Sequence, residues 1–437
     1  MRFLRKFFKA DYIYCTLLVF LFMVGIRQLV EKFSFLNPIE NALQDFEMTD
    51  IVFAESIREA PPIDTNIVLV NFGTLSRRGI ARIIDKIADQ KPKVLGIDCS
   101  FRVLKTPEED SLLESALNKV ENLVLYSKLE YKTESRSTKF DTIIYCHTKF
   151  ARHGKSGFCN LITPGQSEYI TCRTFNPIDS VGGKVEKAFG LEIAAQVNPE
   201  KVKEFLDRNN EVEIINFRGN KDAFYSLDVT DVLGYDDGSG FITDPDMSVS
   251  LRDKIVIMGF MGQNFGPQSE LTREDKFHTP LNPKYAGKSY PDMFGVVVHA
   301  NIVSMVLNSQ PINSMSKMGG ILLAIFLCYL NVIFFFYIHD YFPSWYDLVV
   351  KTMQVLEVLL ILGAAVIIYA KYNYSMNVTV SAIAVGLSGD ILEVYTGAMY
   401  NIVGRFRDKI RNLLFPPKIQ RPAILPAEQE TDPDQTT

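Results

Sequence analysis

Four apolar windows, at residues 12–30, 318–338, 348–370 and 376–400, constrain this chain more than any other feature, because each has the length and apolarity of a membrane-spanning helix. The stretches between the last three, His339–Asp347 and Lys371–Ser375, are too short to hold a domain. Basic residues flank the set, Arg2, Arg5, Lys6 and Lys9 before it and Arg405, Arg407, Lys409, Arg411, Lys418 and Arg421 after it. The positive-inside rule then makes residues 1–11 and 401–437 cytoplasmic and the long block 31–317 extracytoplasmic. The first window begins as a signal peptide does. No Ala-x-Ala-like cleavage site follows it and Cys15 lacks a lipobox, so it reads as an uncleaved signal anchor. Residues 401–437 are basic and then acidic, rich in Pro, Gln and Thr, with the composition of a disordered tail.

The outer block alternates strand and helix. Asn66–Val70 is a continuous apolar strand, Arg78–Gln90 a helix with Ile80, Ile83, Ile84 and Ile87 on one face, and Lys93–Asp98 a second strand. That spacing is a βαβ unit with parallel strands and a right-handed crossover. Helix Glu108–Val120 and strand Asn122–Ser127 continue it. Residues Ser156–Thr174 alternate around Thr163-Pro164-Gly165, the pattern of an antiparallel hairpin. A helix near Val185–Val197, a strand Val212–Phe217 and a helical Leu227–Leu233 follow. Glu31–Glu59 is helical in pattern and leads from the first span to the domain. The last part of the block is strand Lys254–Gly259, a polar loop of about thirty residues, far longer than ordinary connections, and helix Gly295–Asn308. In that helix Val298, Ile302, Met305 and Val306 share one side, and it runs directly into the second span. The expected fold is an α/β extracytoplasmic domain with a mostly parallel sheet and an antiparallel hairpin, plus four transmembrane helices.

Six segments occur in an order and spacing that resemble a known family: Asn66–Asn71, Val94–Asp98 followed by Glu109–Leu113, Ile215–Gly219, Leu251–Gly259, Phe277–Leu281 and Gly295–Asn301. The chain is similar over Asn41–Ile312 to the CHASE domain of type 2, an extracytoplasmic sensor module of bacterial signalling proteins. In that family one span precedes the domain and typically three follow. The resemblance implies a sensor of a small molecule or a protein outside the membrane. Family members often carry an acidic residue where Asn71 stands, and the loop before the first helix is shortened here to Ser76–Gly79. They also commonly continue into a cyclase or kinase domain, for which this chain has no room.

Asp98 ends a central strand, where open α/β sheets bind ligands, and Asn71 ends the strand read as its neighbour. A strand-end Asp also serves as a helix cap. Arg218 either receives an anionic ligand, pairs with Asp98 or forms a buried ion pair. His278 and Thr279 lie in the long loop. His299, beside Val303 on its helix, is either a sensing group or a hydrogen-bonded core residue. Two histidines without a third ligand at suitable spacing make no zinc site. Asp236, Asp237, Asp244 and Asp246 do not match calcium-loop spacing. Gly154-Lys155-Ser156 fails as a phosphate loop because Lys149 stands where a glycine is required. Neither a cofactor nor a catalytic constellation is expected. Cys159 and Cys172 either bridge across the hairpin or remain unpaired core thiols.

Glu357 and Asp390 fall at similar membrane depth, ~14 Å from the cytoplasmic side at 1.5 Å rise per residue. They share a proton, bind a basic group elsewhere, or pack beside the small residues Ala382, Gly386 and Gly389. A net charge of -5 without a long basic patch excludes nucleic acid. The expected protein is a non-enzymatic sensor or receptor subunit in the inner membrane. Its expected partners are the lipid bilayer and a separate cytoplasmic or membrane signalling protein, with homo-oligomerisation left open. Two other classes stay open: a structural or assembly component of an envelope complex, and a transporter or enzyme using the intramembrane carboxylates.

Overall fold

The computed structural model describes residues 9–32, 50–54, 61–131, 140–161, 171–234, 249–266, 272–282 and 290–399. The expectations for most of Glu31–Glu59, for the Thr163–Gly165 turn, for the aspartates of 235–246 and for 401–437 lie outside these residues. The chain forms two units, one of residues 28–322 and 359–380, the other of residues 1–27, 323–358 and 381–437.

A 23-residue apolar helix, α1 (Ala10–Lys32), comes first. In the larger unit, β1 (Asp64–Asn71) leads to α2 (Arg77–Asp89), β2 (Val94–Ile97), α3 (Pro107–Asn118) and β3 (Leu123–Glu130). Ser76 caps α2 by accepting from the Gly79 N–H, and Ile80, Ile83, Ile84 and Ile87 bury one stripe of it. Thr106 caps α3, and Pro107 occupies its first turn, where a missing N–H costs nothing. Next come β4 (Thr142–Tyr145), β5 (Lys155–Phe158), β6 (Thr174–Phe175), β7 (Ile178–Val181), β8 (Lys184–Lys187) and α4 (Phe189–Val197). Then follow β9 (Glu213–Ile214), β10 (Phe224–Leu227), β11 (Ile255–Gly259), β12 (Lys276–Phe277), β13 (Met293–Phe294) and α5 (Gly295–Leu307).

Seven strands make one sheet in the order β10-β1-β11-β2-β3, with β4 and β5 both paired to β3. All pairs are parallel except β3 with β4. Helices cover both faces, which is why the strands are apolar throughout instead of alternating. Val68, Val70, Leu95, Ile97 and Leu125 pack with α2 and α3. Ile67, Leu69, Val94, Val124 and Ile257 pack with α4 and α5 on the other face.

Three expectations need correction, and one strand has no counterpart among them. Residues 155–158 form no hairpin with 174; β5 extends the sheet parallel to β3, and β6 pairs antiparallel with β9. Of the strand expected over Val212–Phe217, Glu213–Ile214 pairs. Antiparallel hairpins occur instead at β3–β4 and at β7–β8, the latter turned by Gly182 and Gly183 at φ 59° and 79°. Strand β10 at the sheet edge was not foreseen. Helix α5 is not amphipathic: every residue from Gly295 to Val306 is buried, as in a central core helix.

Beyond α5, β14 (Asn313–Ser314) precedes α6 (Lys317–Tyr341), α7 (Tyr346–Tyr372), β15 (Tyr374–Ser375) and α8 (Thr379–Val394). Among the described residues three stretches are long and apolar enough to cross a membrane, Ala10–Gln28, Lys317–Tyr341 and Pro343–Tyr372. Helix α8 has 16 residues and continues as a π-helical segment, Tyr395–Met399. The end of α7 belongs to the α/β unit, with Tyr369 meeting Phe53 edge-on at 5.8 Å. There β14 pairs in parallel with β15, Asn313 opposite Tyr374 and Ser314 opposite Ser375.

Candidate ligand pocket

Parallel strands β2, β3 and β5 end side by side, and their C-terminal ends carry the chemistry. Asp98 follows β2, its N–H bonded to the Met258 carbonyl at 2.8 Å. Cys159 follows β5, its N–H bonded to the Ser127 carbonyl at 2.9 Å. Helix α5 lays His299 over both, and the long loop before it contributes Asp275. These groups, with Tyr126 and Lys128, line a cavity of about 260 Å³. This is the location at which open α/β sheets bind ligands.

His299 Nε2 lies 4.0 Å from Asp98 Oδ2, too far for a hydrogen bond. One donor atom from each of Asp98, Cys159 and His299 lies within 4.8 Å of the other two. The His299 side chain is 2% exposed, and neither ring nitrogen has a hydrogen-bond partner. Phe189 meets the ring edge-on at 5.1 Å. Burial lowers the His299 pKa, against the opposing pull of Asp98. Burial pushes the Cys159 thiol well up, and the charge and hydrogen bond of Asp98 push it further. Burial, then the Asp98 charge, also raises Asp275, although that residue keeps much of its surface in solvent. Among the described residues no lysine or arginine pairs with Asp98, and Lys128 is engaged by Glu130 at 3.1 Å. The pocket therefore sets a histidine without hydrogen-bond partners among acidic groups, and its lining cation, Lys128, pairs with Glu130.

A second cavity, about 330 Å³, opens at the other end of the sheet beside Asp64, Lys93, Lys201 and Ser304. Its polar groups are largely paired: Ser304 donates to Asp64 at 2.8 Å and Lys201 bonds the Leu307 carbonyl. It offers no comparable unbalanced set.

The remaining sequence candidates lie outside this cavity's lining. Asn71 is not on the strand beside Asp98, because β11 lies between β1 and β2. It is fully buried, donating to Asp228 at 2.9 Å and the Gly262 carbonyl at 3.0 Å, and accepting from the Gly73 and Met261 N–H groups. Arg218 does not reach Asp98; it bonds Ser304 at 3.1 Å and the Pro62 carbonyl, 3.9 Å from Asp64. Thr279 docks through its side chain and N–H on Asp292. His278 is buried, its carbonyl accepting from Cys172 N–H at 2.7 Å. Cys159 and Cys172 are both free, with Cys172 Sγ on the Leu161 carbonyl while Cys159 faces Asp98. Residues far apart in sequence, Asp98, Cys159 and His299, are thus brought together by the fold, a grouping that no sequence spacing shows.

In the other unit, Glu357 accepts from Asn331 on α6, and Asp390 pairs with Lys351 on α7. The two acids therefore have separate partners. Gln354 donates to the Gly386 carbonyl at 2.7 Å and Tyr346 to that of Gly389 at 3.1 Å, so polar glue joins α7 and α8 where glycines permit close approach. Glu357→Gln with Asp390→Asn is expected to keep the protein folded, shifting its melting temperature in detergent by about 2 °C or less, and to complement a deletion strain.

The fold and the site together define a membrane protein carrying a three-layer α/β domain with a pocket at its strand ends. Residues 17–333 match the family model of the CHASE2 domain, and the chain belongs to that family, whose domains are sensors in signalling proteins. Comparison with curated proteins and with solved structures returned no match.

Proposed function

We propose that this protein is a non-enzymatic sensor subunit with four spans and cytoplasmic termini, whose extracytoplasmic domain binds a ligand in the strand-end pocket and signals through its spans to a separate partner. One observation carries the reading: α5 holds His299 near its start and leads, past its end, to the β14–β15 pair. The link is tightly held. Arg208 bonds the Ile312 carbonyl at 3.0 Å and the Asn313 side chain at 2.7 Å, and Asn216 bonds the Gln310 carbonyl at 2.8 Å. A displacement of α5 would therefore reach α6 along the chain and α7 through strand pairing. A ligand shifts such a system only by binding one arrangement better than another.

The test is in-membrane crosslinking followed by affinity purification of the tagged protein from its own cells. A regulatory or signalling protein recovered reproducibly is the expected result. Recovery of envelope-assembly components in its place would replace the sensor reading with a structural one.

A further inference from the structure

We infer that the strand-end pocket is a binding site for a divalent metal of borderline softness, zinc above all, held by His299, Cys159 and Asp98, with Asp275 or water in the fourth position. The inference names the ligand of the pocket; metal binding stands without the sensor reading, and its role as the sensed signal rests on it.

The geometry carries the argument. Tetrahedral zinc with bonds of about 2.0–2.3 Å holds its ligand atoms roughly 3.3–3.8 Å apart. The three donor atoms here lie within 4.8 Å of one another, so small side-chain rotations bring them onto one ion. The imidazole is the second, independent observation. A buried histidine nearly always has a partner for each ring nitrogen, whereas both nitrogens of His299 lack one and its ring faces the Asp98 carboxylate. Neutral nitrogen is the form that ligates a metal. Asp275 turns its carboxyl toward the start of α5, where a Cβ on Gly295 would lie 3.4 Å from Oδ1, and it lines the same cavity.

Nitrogen, sulfur and one or two carboxylate oxygens form a donor set for zinc and its neighbours, not for calcium or magnesium, which take all-oxygen shells. A thiol nucleophile paired with His299 is the competing chemistry, and the geometry favours the metal: a Cys–His pair uses two of these groups, whereas one ion uses all three donor atoms. On binding, the ion takes the thiolate and the thiol proton leaves to solvent.

The experiment uses the full-length protein in detergent with a histidine-free tag, stripped with chelator and titrated with Zn²⁺ alone, then with Co²⁺ as a spectroscopic stand-in. One zinc per chain and a cobalt–thiolate charge-transfer band are expected. Cys159→Ser should abolish the band and weaken zinc binding at least about 100-fold, beyond the 10–100-fold typical of outer-shell changes. Cys172→Ser should leave both unchanged. Asp98→Asn, which conserves shape, guards against a folding artefact and should weaken zinc with its melting curve intact. Asp275→Asn resolves the fourth position: weakened binding assigns it to Asp275, unchanged binding to water. Absence of stoichiometric zinc in the wild type, equal competition by Mg²⁺ or Ca²⁺, or wild-type affinity in folded Cys159→Ser would each overturn the site. If zinc binds as described but never alters partner recovery, the metal site stands and its role as the sensed signal fails.

Discussion

Gly157→Val is expected to leave the α/β unit unfolded. On β5, a Cβ at Gly157 would lie 2.7 Å from Phe189 Cα and 3.1 Å from its nitrogen. Those are backbone atoms at the start of α4, so nothing flexible can give way. Phe189 is itself fully buried, and Gly190 beside it brings α4 against α5, a Cβ there lying 3.0 Å from the His299 carbonyl. Two glycines thus set the separations of β5, α4 and α5, and with them the positions of Cys159 and His299. Overpacking of a well-filled core costs about 1–3 kcal/mol and occasionally more. Gly157→Ala should sit at or above the upper part of that range, and Val beyond what the domain tolerates. Thermal unfolding in detergent, followed by near-ultraviolet circular dichroism, measures the series. An alanine variant melting like the wild type would mean that α4 does not pack on β5 as described.

Asn71→Leu is expected to be of similar severity for a different reason. The substitution keeps the branching at Cγ but removes every polar contact of a fully buried side chain. Asp228 and the Gly262 carbonyl lose their donor, and the Gly73 and Met261 N–H groups lose their acceptor. Each buried group left unsatisfied costs about 1–3 kcal/mol, so a total of at least about 3 kcal/mol is expected after relaxation. Denaturant titration measures it. Asn71→Asp adds a pH signature, since it sets a carboxylate against Asp228. That acid would have a folded pKa raised above its ordinary value of about 3.9. Its stability is therefore greatest below that value and is lost as pH rises toward neutrality. A pH-independent deficit relative to the wild type would contradict the like-charge contact.

How far the fold could be read in advance follows from its physics. Continuous apolar runs such as Asn66–Val70 and Lys254–Gly259, and the isoleucine stripe of α2, announce strands and a helix because burial on one or both faces dictates them. Strand β5 escapes the sequence pattern because Lys-Ser-Gly-Phe is short and only half apolar; it is a strand through Gly157 and α4, a tertiary reason. Helix α5 reads as one-sided because Val298, Ile302, Met305 and Val306 share a face, whereas Asn301 and Ser304 are polar. They are buried regardless, Asn301 accepting from the Arg218 N–H at 2.7 Å and Ser304 donating to Asp64. Asn71 was set beside Asp98 because consecutive strands usually pair, whereas here β11, from much later in the chain, intervenes.

The pocket was legible in part. Asp98 and His299 each drew attention, the first by its strand end and the second as a histidine on a buried helix. Cys159 reads as half of a bridge or as a core thiol, and Asp275 is hidden among the charges of the long loop. No spacing encodes their meeting, because it depends on three adjacent strand ends and one helix laid across them. The route out of the domain was also half visible. Sequence shows the covalent path from α5 to α6, and the fold adds the β14–β15 pair that ties it to the end of α7.

The central claim is that ligand in the pocket moves the elements leading to the membrane. Hydrogen–deuterium exchange on the full-length protein in lipid nanodiscs, with and without one equivalent of Zn²⁺, tests it most directly. The account predicts added protection at Asp98, Cys159 and the first turns of α5, together with a change at 313–314 and 374–375. Protection confined to the pocket, with β14 and β15 unaltered, would contradict it.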